Sequence, residues 1–93
     1  MKKLSKTKDI YGDIPDNITE IFGETLRTLR SKKSISQNGL AKTSGLSGRM
    51  ISDIERGLKQ PSLITLMKLA NGLKVSLAYF IAKSGHIDHP IPI

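Results

Sequence analysis

The 93-residue sequence predicts an all-α domain built from five helices. Two observations carry that prediction. Apolar residues recur at three- and four-residue spacing in five separate segments, the period of a helix with one buried stripe, and no run alternates as a strand would. Four of these segments follow a serine and one follows an asparagine, residues whose side-chain oxygens cap helix N-termini. Glycine or proline punctuates the intervals between several of them.

The first helix is expected to begin near Asn17, with Glu20 three residues on completing a variant of the capping box. Ile18, Ile21, Phe22, Leu26 and Leu29 form its apolar stripe over about four turns. Glu20 and Glu24 lie toward the positive end of the helix dipole, and Arg27, Arg30, Lys32 and Lys33 toward the negative end. Ser36 caps a short second helix that carries Leu40 and Ala41 inward. Asn38 and Gly39 are poor helix formers, each costing up to about 1 kcal/mol relative to alanine, so tertiary contacts must hold this helix.

Gly45 interrupts the pattern and Ser47 restarts it, with Met50, Ile51 and Ile54 inward and Gly57 as the stop signal. Pro61 disfavours helix at Gln60, which makes "LKQPS" a loop and leaves Ser62 to cap the fourth helix. Leu63, Leu66, Met67, Ala70 and Leu73 are its expected stripe. Ser76 caps a final short helix bearing Leu77, Phe80 and Ile81, and the prolines of "SGHIDHPIPI" end it. The expected organisation is a basic N-terminal arm over 1–16, one domain over 17–83 and a C-terminal tail over 84–93. Lys2, Lys3, Lys6 and Lys8 suit either a frayed, solvated terminus or an arm lying along phosphates or in a groove.

Composition narrows the function. With 38% apolar residues and no tryptophan, the core must be mainly aliphatic. The absence of cysteine excludes disulfides and thiolate zinc sites and agrees with a reducing cytoplasm. No stretch is long and apolar enough to cross a bilayer, and the Lys-rich start leads into polar residues instead of a secretory core. No membrane partner is expected. Fifteen basic residues against eight acidic ones, a formal charge of +7, point to a polyanion, with nucleic acid ahead of an anionic lipid surface.

His86, Asp88 and His89 offer three possible metal ligands and no obvious fourth, so neither metal nor cofactor is expected. Ile87, Ile91 and Ile93 could instead rest on a symmetry mate. The sequence holds no Ser/His/Asp set, Gly-rich phosphate loop or paired acids, and no enzyme is expected.

Two short helices joined through a glycine form a helix-turn-helix. The run "SQNGLAKTSGLSGRMISDIERG", continued by "PSLITLMKLANGLKVSLAYF", resembles the lambda repressor and Cro family, also called the xenobiotic-response-element type. The matching features are Ser36-Gln37, Leu40-Ala41, Gly45-Leu46-Ser47, Ile51, Ile54-Glu55, Gly57, Pro61, Leu66, Leu69-Ala70 and Val75-Ser76-Leu77. They extend over roughly residues 18–82. The resemblance implies a five-helix lambda-repressor-like domain with its helix-turn-helix at the second and third helices. It implies a sequence-specific regulator that binds double-stranded DNA as a homodimer, a prokaryotic or phage repressor or restriction-modification controller. An antitoxin-type interaction module that also binds its own operator is the alternative, with a protein partner. An adaptor that keeps the fold without binding DNA is a third reading.

The residues support the motif physically. Gly45 can adopt positive φ and reverse the chain, Leu46 can plug the core beneath the turn, and Ala41 is small enough for a close helix crossing. The third helix then turns Gly48, Arg49, Ser52, Asp53 and Arg56 outward, and a major groove about 12 Å wide admits such a helix. By resemblance, Gly48, Arg49, Ser52 and Asp53 face base edges. Arg49 suits O6 and N7 of guanine, whereas Asp53 either accepts from a cytosine amine or pairs with Arg49 four residues earlier. Gly48 either allows close backbone approach or leaves its position unread.

Gln37 is implied at a backbone phosphate, and Ser47 has two compatible duties, cap and phosphate contact. Lys42, Arg56 and Lys59 are placed to meet phosphates. The resemblance also makes Arg30 and Glu55 a structural ion pair between the first and third helices. Leu77, Tyr79, Phe80 and Ile81 are the expected dimer contacts. Lys74 stands where the family usually has Gly or Asn, and Gly72 sits inside the fourth helix, so the end of that helix is expected to be strained or shifted.

Overall fold

The computed structural model describes residues 16–84. The basic arm, apart from Asp16, and the tail with His86, Asp88 and His89 lie outside the described residues, apart from Ser84, which is buried and accepts from Thr25 Oγ1 at 3.2 Å. Five helices follow in order: α1 (Ile18–Lys32), α2 (Gln37–Ser44), α3 (Gly48–Glu55), α4 (Leu63–Gly72) and α5 (Leu77–Lys83). Among the described residues no single helix is long and apolar enough to cross a membrane.

Four helices start where serine places them. The Oγ atoms of Ser36, Ser47, Ser62 and Ser76 accept from the amides of Gly39, Met50, Thr65 and Tyr79 at 2.9, 3.0, 3.1 and 3.0 Å. Each such cap contributes about 1 kcal/mol. Asn17 departs from expectation: it precedes α1, but its side chain caps nothing. Its ψ of 32° leaves the extended region that sets the serine caps, with ψ between 153° and 170°, back over the first turn.

The helix ends share a second device. After α3, Gly57 takes φ 73°, its amide donates to the Ile54 carbonyl and the Leu58 amide to that of Asp53. This reciprocal pair satisfies carbonyls that would otherwise end the helix unpaired. The same pair closes α1 through Ser34 and α4 through Lys74, at φ 57° and 61°. The strain expected at the end of α4 therefore sits on Lys74, which holds a left-handed conformation that disfavours a Cβ by about 1–2 kcal/mol. Lys74→Gly is expected to raise stability by about 0.5–1 kcal/mol, the relief being partly offset by a freer unfolded chain. Urea unfolding of the two proteins checks this.

The core is formed by Leu26 and Leu29 of α1, Leu40 of α2, Ile51 and Ile54 of α3, Leu66, Leu69 and Ala70 of α4, then Leu73 and Phe80. Phe80 meets Phe22 in a tilted ring contact, centroids 6.0 Å apart. The expected α4 stripe needs correction. Leu63 and Met67 face outward with Ile64, and Leu69 takes the inner place. The helix is apolar nearly all round, so its neighbours decide which side is covered.

Close approach is carried by two glycines beside the half-buried Ala41. A Cβ at Gly72 would come within 2.9 Å of Leu40 and Ser44 side-chain atoms, and one at Gly23 would overlap the Ile54 carbonyl oxygen. Gly23 thus seats α1 against the end of α3, and Gly72 seats α4 against α2.

Candidate nucleic-acid interface

The corner between α2 and α3 is made by Gly45, at φ 78°, whose amide donates to the Ala41 carbonyl at 3.0 Å. Ser44 Oγ then accepts from the Leu46 amide at 3.2 Å, and Leu46 sits against the core. Ser47 begins α3 at once. The inner face of that helix is fixed by Ile51 and Ile54, both fully buried, and by Glu55.

The opposite face of α3 presents Gly48, Arg49, Ser52 and Asp53 together. The Arg49 side chain is 90% exposed. Asp53 is half-buried between two cations: Arg56 donates to its Oδ1 at 3.0 Å, and Arg49 Nε lies 3.9 Å from its Oδ2. The pairing with Arg49 expected as one of two roles for this carboxylate is long, at 3.9 Å, and the closer contact, to Arg56, was not anticipated. Two cations flanking one anion leave the helix face net positive and hold the Arg56 side chain along α3. Lys42 and Lys59 are exposed on α2 and on the loop after α3.

Beneath this face lies a polar cluster. Arg30 of α1 donates through Nε and a terminal nitrogen to the two Glu55 oxygens, at 2.6 and 3.0 Å, and through the other terminal nitrogen to the Ile35 carbonyl at 2.9 Å. Gln37 Nε2 adds a third bond to Glu55, at 3.0 Å. Arg30 is held above its ordinary pKa, chiefly by the Glu55 hydrogen bond and by its charge, with burial opposing. One face of Gln37, expected on a phosphate, is thus turned to Glu55, tying the start of α2 to the end of α3. Sequence reasoning missed this bond. It also missed Arg27, which donates to the Glu55 backbone carbonyl at 3.2 Å and completes the C-terminal end of α3. The three-residue spacing of Arg27 and Arg30 on α1 was the available signal.

This architecture agrees with comparisons against known proteins. The helix-turn-helix family pattern matches residues 26–80. The chain belongs to the Cro/C1-type helix-turn-helix DNA-binding family. Within this family the chain is similar to the HTH-type transcriptional repressor RghR of Bacillus subtilis, 41% identical over 70 residues, 74% of this chain and 52% of that protein. It is 35% identical to control protein C.SmaI of Serratia marcescens, over 74% of this chain and 82% of that one. Among solved structures, the restriction-modification controller protein C.AhdI of Aeromonas hydrophila superposes with a TM-score of 0.65 at 37% identity. That match covers 67% of this chain and 94% of C.AhdI. The chain spans about half the length of the Bacillus repressor. These relatives are transcription regulators or control proteins, not enzymes.

In the helix-turn-helix, α3 buries Ile51, Ile54 and Glu55 and leaves Arg49 exposed. One expected dimer residue does not fit. Phe80 is wholly buried within its own chain against Phe22, because α5 uses it to close the core. Leu77 and Ile81 are half-buried against that core, and Tyr79 is exposed. Among the described residues no cluster of His, Cys, Asp or Glu could hold a metal ion.

Proposed function

We propose that this chain is a cytoplasmic transcription regulator of the repressor or restriction-modification-controller type, binding a specific double-stranded DNA site as a homodimer. The observation that carries the reading is α3 itself. Its inner face is locked into the core while the opposite face carries the exposed Arg49 beside the half-buried Ser52 and Asp53, the form a helix needs to enter a major groove. Arg49 is assigned to guanine, Ser52 to looser base contact, and Asp53 to orienting its flanking arginines. Lys42, Ser47, Arg56 and Lys59 are assigned to phosphates, together with Gln37 through the second hydrogen of its Nε2, the first being donated to Glu55.

The dimer reading moves from Phe80 to the outer side of α4. Leu63, Ile64 and Met67 are 63%, 61% and 50% exposed, and Ile64 and Met67 share an open groove with Val75 and Leu77. So much aliphatic surface on so small a domain favours burial against a second copy. The antitoxin reading would give the same surface to a different protein.

The test is selection of bound sequences from random DNA, followed by titration at several salt concentrations. The expected result is one enriched, roughly palindromic motif, two protomers per site, and half-sites about 34 Å apart. The slope of log affinity against log salt should be several units, about 0.9 for each phosphate neutralised. No enrichment at low salt overturns the reading. One protomer per site removes the dimer alone.

A further inference from the structure

Gly48 opens the recognition helix with no side chain, at a place where the family's side chains reach base edges. The structure shows what stands there instead. A Cβ built on Gly48 would lie 3.4 Å from Oδ1 of Asn38, which arrives from α2. Asn38 is exposed, and among the described residues no intramolecular hydrogen bond engages its carboxamide. It is the second residue of α2, beyond the Ser36 cap, so it caps nothing and only lowers the propensity of an already weak helix.

We propose that Asn38 is a specificity-determining residue, whose carboxamide reads a base edge across the space that Gly48 leaves open. Adenine is its chemical match. The carboxamide oxygen accepts from the N6 amine while its nitrogen donates to N7, both presented in the major groove. Glycine at 48 is then a clearance and not an omission: a longer side chain there would start in ordinary contact with the Asn38 oxygen and extend through its space. The reading head becomes a pair drawn from both helices of the motif, Asn38 from α2 and Arg49 from α3.

This inference rests on the reading that α3 enters the major groove, and the experiment separates the two. Bound sequences are selected from random DNA with the full chain, with Asn38→Ala and with Arg49→Ala, and affinities are titrated on the best site and on unrelated DNA. Alanine at 38 favours the helix, and circular dichroism verifies that each variant is folded. The expected result is that Asn38→Ala loses an adenine preference at one position of each half-site. It should weaken the best site about tenfold, the scale of one bidentate base contact, and change unrelated DNA less than twofold. Gly48→Gln should disturb the same position. If Arg49→Ala alters the motif while Asn38→Ala leaves it intact, or weakens all DNA equally, the role given to Asn38 is wrong and the groove reading stands. If neither variant alters the motif, both fall.

Discussion

Gly23→Ala is expected to destabilise the domain by about 3 kcal/mol or more, although alanine is the better helix former by about 1 kcal/mol. The position lies in the middle of α1 and is buried against the end of α3. A Cβ there would overlap the Ile54 carbonyl oxygen and stand 2.9 Å from that of Glu55. Both partners are backbone, so no rotamer change relieves the overlap and the two helices must separate. Overpacking typically costs about 1–3 kcal/mol, and a rigid partner places this site at or above the upper end. Since α3 is the proposed reading helix, DNA affinity should fall with stability. Urea unfolding measures the first effect and titration of the selected site the second. An alanine variant as stable as the parent would show that α1 is not seated on α3 in solution.

Glu55→Ala is expected to cost about 3–5 kcal/mol, from a different cause. The Glu55 side chain is 3% exposed and receives two bonds from Arg30, itself only 16% exposed, and one from Gln37. Alanine leaves a guanidinium with little water and no counter-ion, which is the expensive way to break a buried pair. Glu55→Gln keeps the shape and an acceptor, and should lose less, about 1–3 kcal/mol. The pH behaviour has a definite sign. Arg30 is raised above its ordinary value, so the bond's contribution is complete below the unfolded value and fades only as pH climbs through the raised folded one. Alkaline titration to about pH 10 should therefore leave the parent's Arg30 contribution intact. A loss under 1 kcal/mol in the alanine variant would mean that water reaches the cluster freely.

The sequence revealed the helices more fully than their meetings. Ser36, Ser47, Ser62 and Ser76 act on amides three residues away, so their effect is local and readable. Gly45 and Gly57 were readable for the same reason, since each turn is made within a few residues. Gly23 and Gly72 look like weak helix positions until one knows which backbone or side chain comes against them. Leu63 and Met67 fit a helical stripe as well as Leu69 does, and periodicity cannot choose between two apolar sides of one helix. From the sequence Phe80 is as good a dimer contact as its neighbours, because nothing local announces its contact with Phe22, 58 positions earlier in the chain. At the candidate interface, Arg49 and Asp53 are grouped by their place on one helix. The approach of Asn38 to Gly48 and the inward bond of Gln37 cannot be read that way, because both depend on how two helices cross.

The four helices after α1 run only seven to ten residues. Isolated helices that short do not persist in water, since the first turn is too costly to nucleate. None of α2 to α5 persists apart from the packed domain, and Phe80 of α5 is wholly buried in the core that all five helices share. A nascent chain should therefore not hold the proposed reading helix until α5 has been synthesised and docked. Afterwards the active amount follows the folded fraction in an all-or-none manner. Repression built on such a domain should switch off over a narrow temperature interval, in step with cooperative melting and not through gradual loosening of the reading helix.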